Sequence, residues 1–220
     1  MSRPPFQFHV TNEPMFAENA YTIYRLDGGP CWIVDPGLPP QAEQIVAFIQ
    51  EHDLKPKAVL LTHAHGDHIA GVDQVRAALG PVPLYLGEPE WHMLGSASDN
   101  LSANIGLPLA VSDDNLHDLE PEGTLELDGA IWKVLDTSGH SPGGRSLYCS
   151  EAGVVIVGDA LFAGSVGRVD FPHSDGHRLM TNIRRNLMNL PDETRVLCGH
   201  GPDTTIGHER RTNPFVLGGL

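Results

Sequence analysis

An apolar run, Lys57-Ala58-Val59-Leu60-Leu61, ends directly in Thr62-His63-Ala64-His65-Gly66-Asp67-His68, and Ile69, Val72, Val75 and Leu79 follow at helical spacing. No other feature constrains the fold as much. The run reads as a buried strand and the stripe as an amphipathic helix stopped by Gly80-Pro81, so the polar segment is a tight strand-to-helix link. In chain still extended as it leaves a strand, residues two apart point to one side, which brings His63 and His65 together. Asp67 and His68 begin the helix and face back towards the same strand end. Ala64 and Gly66 leave room for a tight turn and for close approach of an ion. The plain alternative is a set of solvated polar residues with Asp67 as an N-cap. With 12 His in 220 residues, a chance His-x-His-x-Asp-His match is on the order of a few per thousand. We read the segment as metal-ligating.

Three later places repeat the pattern of an apolar strand, a Gly and a ligand-type residue. Ile131 to Leu135 leads to Gly139-His140, Val154 to Val157 to Gly158-Asp159, and Val196-Leu197 to Gly199-His200. Taken singly, Asp159 reads as a turn cap, and His140 or His200 as a hydrogen-bonded loop histidine. Together with the first segment they make a seven-ligand set at strand ends.

The rest of the chain supplies the layers around those ends. Ala20 to Leu26, the turn Asp27-Gly28-Gly29-Pro30, and Cys31 to Val34 read as an antiparallel hairpin. Ala42, Ile45, Val46, Phe48 and Ile49 mark a helix between Pro40 and His52. Val82 to Leu86 is a further strand, and Gly87 to His117, rich in Ser, Asn, Asp, Gly and Pro, reads as a loop or lid. Later strands are Thr124 to Leu127, Ala130 to Leu135, Ser146 to Cys149, Val154 to Val157 and Arg195 to Cys198, with a helix from about Gly176 to Leu190 before the last. Strands alternating with helices, with hairpins in each half, give two mixed sheets packed between helices in a single domain, residues 1–220.

A formal charge of −14 without a dense Lys/Arg run argues against a nucleic-acid partner. The start, Met1-Ser2-Arg3-Pro4-Pro5-Phe6, lacks a secretory pattern, and no apolar run reaches membrane-spanning length. Cys31, Cys149 and Cys198 are odd in number and widely spaced, which speaks against a disulfide framework and fits a reducing compartment. The expectation is a cytoplasmic enzyme acting on a small molecule, with no membrane or nucleic-acid partner.

The His-x-His-x-Asp-His segment followed by a His, an Asp and a His at strand ends resembles the metallo-β-lactamase superfamily over nearly the whole chain. The resemblance implies an αββα sandwich in which His63, His65 and His140 bind one metal, Asp67, His68 and His200 bind the other, and Asp159 bridges both. Five imidazoles and two carboxylates without a thiolate suit two Zn²⁺ ions and tolerate Fe²⁺ or Mn²⁺. Two such ions, roughly 3.5 to 4 Å apart, hold a hydroxide as nucleophile and polarise a carbonyl. Asp67 is the catalytic candidate that orients the hydroxide or takes its proton. Asp35-Pro36-Gly37 matches a family turn beside the site and is read as structural.

Gly167-Arg168-Val169-Asp170-Phe171-Pro172, Gly199 to Gly207 and Asn213-Pro214-Phe215 resemble the glyoxalase II-like branch. That implies hydrolysis of a thioester such as S-lactoylglutathione, in a short form without the branch's C-terminal helical domain. Cys198 stands where Pro is usual and His173 where a small residue, often Gly, is usual. Arg168 and Arg145 are candidates for holding a substrate carboxylate, and bracing of the loop by an Arg168–Asp170 pair is favoured. His9, His52, His92, His117, His177 and His208 show no ligand spacing. The alternatives are a mononuclear-iron persulfide dioxygenase, and a lactonase or β-lactamase-like hydrolase, all on the same fold.

Overall fold

A computed structural model describes residues 4–218; residues 1–3 of the N-terminal segment read above and 219–220 of the expected domain lie outside the described residues. The first sheet holds β1 (Gln7–Asn12), β2 (Asn19–Tyr24), β3 (Pro30–Val34), β4 (Lys55–Leu60), β5 (Leu84–Leu86) and β6 (Leu116–Asp118), side by side in that order. Strands β1 to β3 run antiparallel and β3 to β6 parallel. The parallel half needs crossovers. Helix α1 (Gln41–Glu51) makes the first, and α2 (Gly66–Ile69) with α3 (Val72–Leu79) the second.

The second half contributes β7 (Thr124–Leu127), β8 (Ala130–Asp136), β9 (Arg145–Cys149) and β10 (Val154–Gly158), a small hairpin of β11 (Leu161–Phe162) and β12 (Ser165–Val166), helix α4 (Gly176–Asn182), β13 (Arg195–Cys198), β14 (Thr204–Thr205), α5 (Ile206–Thr212) and α6 (Pro214–Gly218). The second sheet runs β14-β13-β10-β9-β8-β7, with only β10 and β13 parallel. Both sheets are therefore mixed and lie between helices, as expected.

Side-chain alternation divides the core into three parts. Trp32, Val34, Ala58 and Leu60 face Trp132, Val134, Val154 and Ile156 between the sheets. Their neighbours Cys31, Ile33, Val59 and Leu61 face Ile45, Ile49 and Val75 of the helices on one side. Val155, Val157, Val196 and Cys198 face Leu179, Ile183 and Leu187 on the other. Truncating a core aromatic such as Trp132, fully buried, to Ala costs about 3–5 kcal/mol. Helix α1, at 11 residues, is too short to hold itself in water and depends on this packing.

The structure departs from the sequence reading in four local ways. The helix expected from Ile69 to Leu79 is split at Ala70-Gly71, because the loop after β3 docks there and Pro36 O accepts the Gly71 N–H at 2.8 Å. Strand β1 carries a largely exposed pattern and gave no apolar signal. The segment expected as a loop from Gly87 to His117 contains two 3₁₀ turns, Glu88–Gly95 and Ser102–Ile105, and its end pairs as β6. The helix expected from Gly176 to Leu190 is α4 continued by a wider π-helical turn, Ile183–Leu187. Among the described residues no helix is long and apolar enough to cross a membrane.

Candidate metal centre

Four chain segments leave the sheets at one edge of the sandwich. His63 and His65 follow β4, His140 lies between β8 and β9, Asp159 follows β10, and His200 follows β13. Asp67 and His68 sit in α2. Donor atoms of His63, His65 and His140 lie within 4.8 Å of one another, and so do those of Asp67, His68 and His200. Asp159 stands between the groups, with Oδ2 at 3.6 Å from His140 Nε2 and 3.4 Å from His200 Nε2, and Oδ1 at 3.4 Å from His68 Nε2. All seven sequence candidates are brought together.

The outward ring nitrogens are held by hydrogen bonds. His140 Nδ1 donates to Arg168 O at 2.7 Å, and His200 Nδ1 to Phe16 O at 2.9 Å. With Nδ1 donating outward, each ring turns Nε2 towards the centre, where its lone pair would be available to a bound cation. Inside, His140 Nε2 lies 3.0 Å from His65 Nδ1 and His68 Nε2 lies 3.2 Å from His200 Nε2. His63 Nε2 and Asp159 Oδ1 are buried with no protein hydrogen-bond partner. Nitrogens converging on one point, with an orphaned imidazole and an orphaned carboxylate oxygen beside them, fit a shared cation, since buried polar groups otherwise find partners. The His/Asp cluster suits a dinuclear metal site.

Electrostatics agree. Burial opposes ionisation of Asp159, yet the neighbouring charge of His68 and the hydrogen bond from His200 hold its carboxyl well below the usual range. Burial also opposes charge on His200, but hydrogen bonds to Asp159 and Asp67 push its pKa up to about 10. On the other side, burial and then the nearby His140 lower His65 to about 3. One side of the centre thus gathers positive charge towards two carboxylates, and the other presents the uncharged rings of His63 and His65.

Gly199 permits the approach of these groups. A Cβ there would lie 2.3 Å from Asp159 Oδ1 and 2.9 Å from His68 Cε1. Gly66, expected to make room for an ion, instead makes room for protein: a Cβ would lie 2.8 Å from Ser102 Cβ, and Gly66 N donates to Asn100 O at 2.7 Å.

Three supports carried no ligand motif. Asp35 Oδ1 accepts the Thr62 N–H at 2.7 Å and Oδ2 the Thr62 hydroxyl at 2.6 Å, and His68 Nδ1 lies 3.1 Å from Oδ2. Asp35 also stands near His63, but its oxygens are spent on these bonds, so the Asp35-Pro36-Gly37 turn supports the ligands from behind. Glu90, fully buried, accepts Ala64 N–H at 2.5 Å and Gly143 N–H at 2.7 Å, tying the His63/His65 loop to the His140 loop. Asn19 and Tyr21 donate to Cys198 O, at 3.1 and 2.7 Å, beside His200.

A cavity of about 600 Å³ opens over the centre, with His65, Asp67, His140, Asp159 and His200 among its lining residues. Arg168 also lines it, but its guanidinium is bound to Asp170 at 2.9 and 2.8 Å and lies over the Phe171 ring. Arg145 does not. It is 4% exposed and donates to Leu119 O at 2.9 Å and Gly144 O at 3.1 Å, so its expected place at the substrate is corrected to one inside the supporting structure. Cys198 is a buried strand residue whose thiol burial pushes up to about 12. His173 has φ +67°, a left-handed backbone that accounts for the small residue usual there.

This arrangement has known counterparts. The metallo-beta-lactamase superfamily model matches residues 15–200.

The chain belongs to the metallo-beta-lactamase superfamily.

Within the superfamily it is 40% identical over 201 residues to the probable metallo-hydrolase YqgX of Bacillus subtilis, spanning 91% of this chain and 92% of that protein. It is 37% identical over 203 residues to the hydroxyacylglutathione hydrolase GloC of Haemophilus influenzae, spanning 91% and 93%. Among solved structures, BLEG-1 B3 metallo-beta-lactamase superposes with a TM-score of 0.88 at 37% identity, over 96% of this chain and 100% of that one. TTHA1623 in a di-iron-bound form gives 0.81 at 39% identity, over 94% and 99%. The superfamily and the intact His/Asp cluster make this protein a metal-dependent hydrolase.

Proposed function

We propose that this protein hydrolyses an acyl thioester, S-lactoylglutathione or a related one, at a dinuclear metal centre. The observation that carries the reading is the convergence of two complete three-residue groups on Asp159 beneath an open cavity. His63, His65 and His140 would hold one divalent ion, Asp67, His68 and His200 the other, and Asp159 both. The Gly199 to Gly207 stretch favours the hydrolase over a mononuclear iron dioxygenase of the same fold. The donor set supports Zn²⁺, and the likeness to di-iron TTHA1623 makes Fe²⁺ the alternative. Likeness to GloC and the Gly167 to Pro172 and Gly199 to Gly207 stretches support a thioester.

Bound divalent ions supply an acidified water as nucleophile and polarise the substrate carbonyl. Asp67 lines the cavity with a carboxylate 3.4 Å from His200 Nε2, placed to orient that water and take its proton. The acyl carbon gains the water oxygen, the C–S bond breaks, and the sulfur leaves as a thiol. A formal charge of −14 supports a small-molecule substrate over nucleic acid, and three buried, unpaired cysteines support a cytoplasmic setting.

A second reading, β-lactam hydrolysis, draws on the likeness to BLEG-1. Metal content measured beside rates on S-lactoylglutathione, a lactone, a β-lactam and a persulfide separates the readings. About two metals per chain with thioester cleavage supports the first. Two metals with β-lactam cleavage alone supports the second, and one iron with oxygen uptake overturns both.

A further inference from the structure

The walls of the cavity differ in chemistry from its floor. Phe16 comes from the loop before β2, Leu101 from the residue preceding the second 3₁₀ turn and Ile105 from the end of that turn, and Phe162, Val166 and Phe171 from the hairpin after Asp159 and the loop beyond it. Six apolar side chains from three separate segments line the cavity around the polar centre. Phe16 and Ile105 are 39% and 37% exposed, so neither owes its place to the core. Clustered apolar surface beside a site is ligand-contacting surface.

Leu101 is held firmly in its place at the cavity wall. Its φ of +64° lies in the left-handed region that a branched, bulky residue avoids. The neighbouring Asn100, fully buried, enforces it: its side-chain amide donates to Met93 O at 3.0 Å and Leu109 O at 3.2 Å, and its Oδ1 accepts the Ser102 N–H at 3.0 Å. The hydrogen bonds of Asn100 therefore keep the Leu101 side chain at the cavity wall.

Charge points the same way. Arg168 is the only Lys or Arg among the described residues lining the cavity, and Asp170 neutralises it with two hydrogen bonds. The walls therefore offer no paired cations for the two carboxylates of a glutathione moiety.

Resting on the thioester reading above, we infer that the substrate is a thioester of an apolar acid, its aliphatic or aromatic acyl group seated against Phe16, Leu101, Ile105, Phe162, Val166 and Phe171. The polar floor takes the carbonyl, and the thiol portion faces the cavity mouth.

The test is kcat/KM of the metal-loaded protein on N-acetylcysteamine thioesters of acetate, butyrate, hexanoate and phenylacetate, beside S-lactoylglutathione. A rise of at least about tenfold from acetyl to hexanoyl is expected, since each buried methylene adds binding. The better members should exceed S-lactoylglutathione. Ile105→Asp and, separately, Leu101→Asn, whose Asn tolerates the left-handed backbone, should flatten the rise with metal content unchanged. A flat series with S-lactoylglutathione fastest overturns the apolar-acyl assignment and leaves the thioester reading standing. No thioester cleavage beside rapid β-lactam cleavage overturns the thioester reading, and this inference with it.

Discussion

Asp35 Oδ2 lies 3.1 Å from His68 Nδ1, on the side of the ring away from the metal centre. The same carboxylate accepts both the backbone N–H and the hydroxyl of Thr62. Asp35 thereby fixes the orientation of a ligand ring and the start of the ligand loop at once. Asp35→Asn should lower metal affinity about 10–100-fold, the usual cost of losing a ligand's supporting partner. Competition against a calibrated chelator measures this, and wild-type affinity in a folded variant would refute the supporting role.

Glu90 makes a separable prediction about stability. Glu90→Ala leaves the Ala64 and Gly143 N–H groups buried without acceptors, at about 1–3 kcal/mol each. The metal-free variant should melt lower than the metal-free wild type, and metal should bind more weakly because the two ligand loops are no longer tied. An unchanged melting temperature would show that the loops hold themselves.

Removing a ligand should do more than removing a support. His65→Ala and Asp159→Ala should each lower metal content and hydrolysis together, by more than the ~10–100-fold that loss of a supporting partner costs. Asp159→Ala should affect both ions because its two oxygens face both groups. Wild-type turnover by protein stripped of metal would sink the proposed mechanism.

The chelated protein should show a maximum of thermal stability near neutral pH. His65 is lowered to about 3 by burial and then by His140, while its unfolded value is near 6.5. Between those values the unfolded chain binds the extra proton, so stability falls as pH drops through that window. His200 acts on the other limb. Burial lowers its pKa, but Asp159 and Asp67 outweigh burial and push it up to about 10. The folded protein holds the extra proton between about 6.5 and 10, and stability is lost as pH rises through that range. Melting temperatures from pH 5 to 9 in chelator check both limbs, and a steady rise to pH 9 would contradict the second.

Much of this protein was legible in the chain because its signals are local. Continuous apolar runs such as Val154 to Val157 and the helical stripe of α1 place each element by its own residues. The seven ligand candidates were legible for the same reason: each follows an apolar strand, and strands in layered sheets end at a common edge. Even so, the second helix was read as continuous, because the Pro36 carbonyl that divides it comes from a distant turn.

Only the tertiary structure decided what stands behind and around the ligands. Asp35 meets His68 across 33 residues, Glu90 meets Ala64 across 26, and Phe16 O meets His200 across 184. Such contacts leave no periodicity in the chain, since a buried acid and a surface acid share one letter. Arg145 and Arg168 looked alike beside glycines, yet the fold buries one behind the centre and leaves the other at the cavity. The sequence determined which atoms could hold a metal, because ligand chemistry belongs to residue types. The fold decided which atoms hold those ligands still and what shape of substrate reaches them, because burial and distance exist only once the sheets have packed.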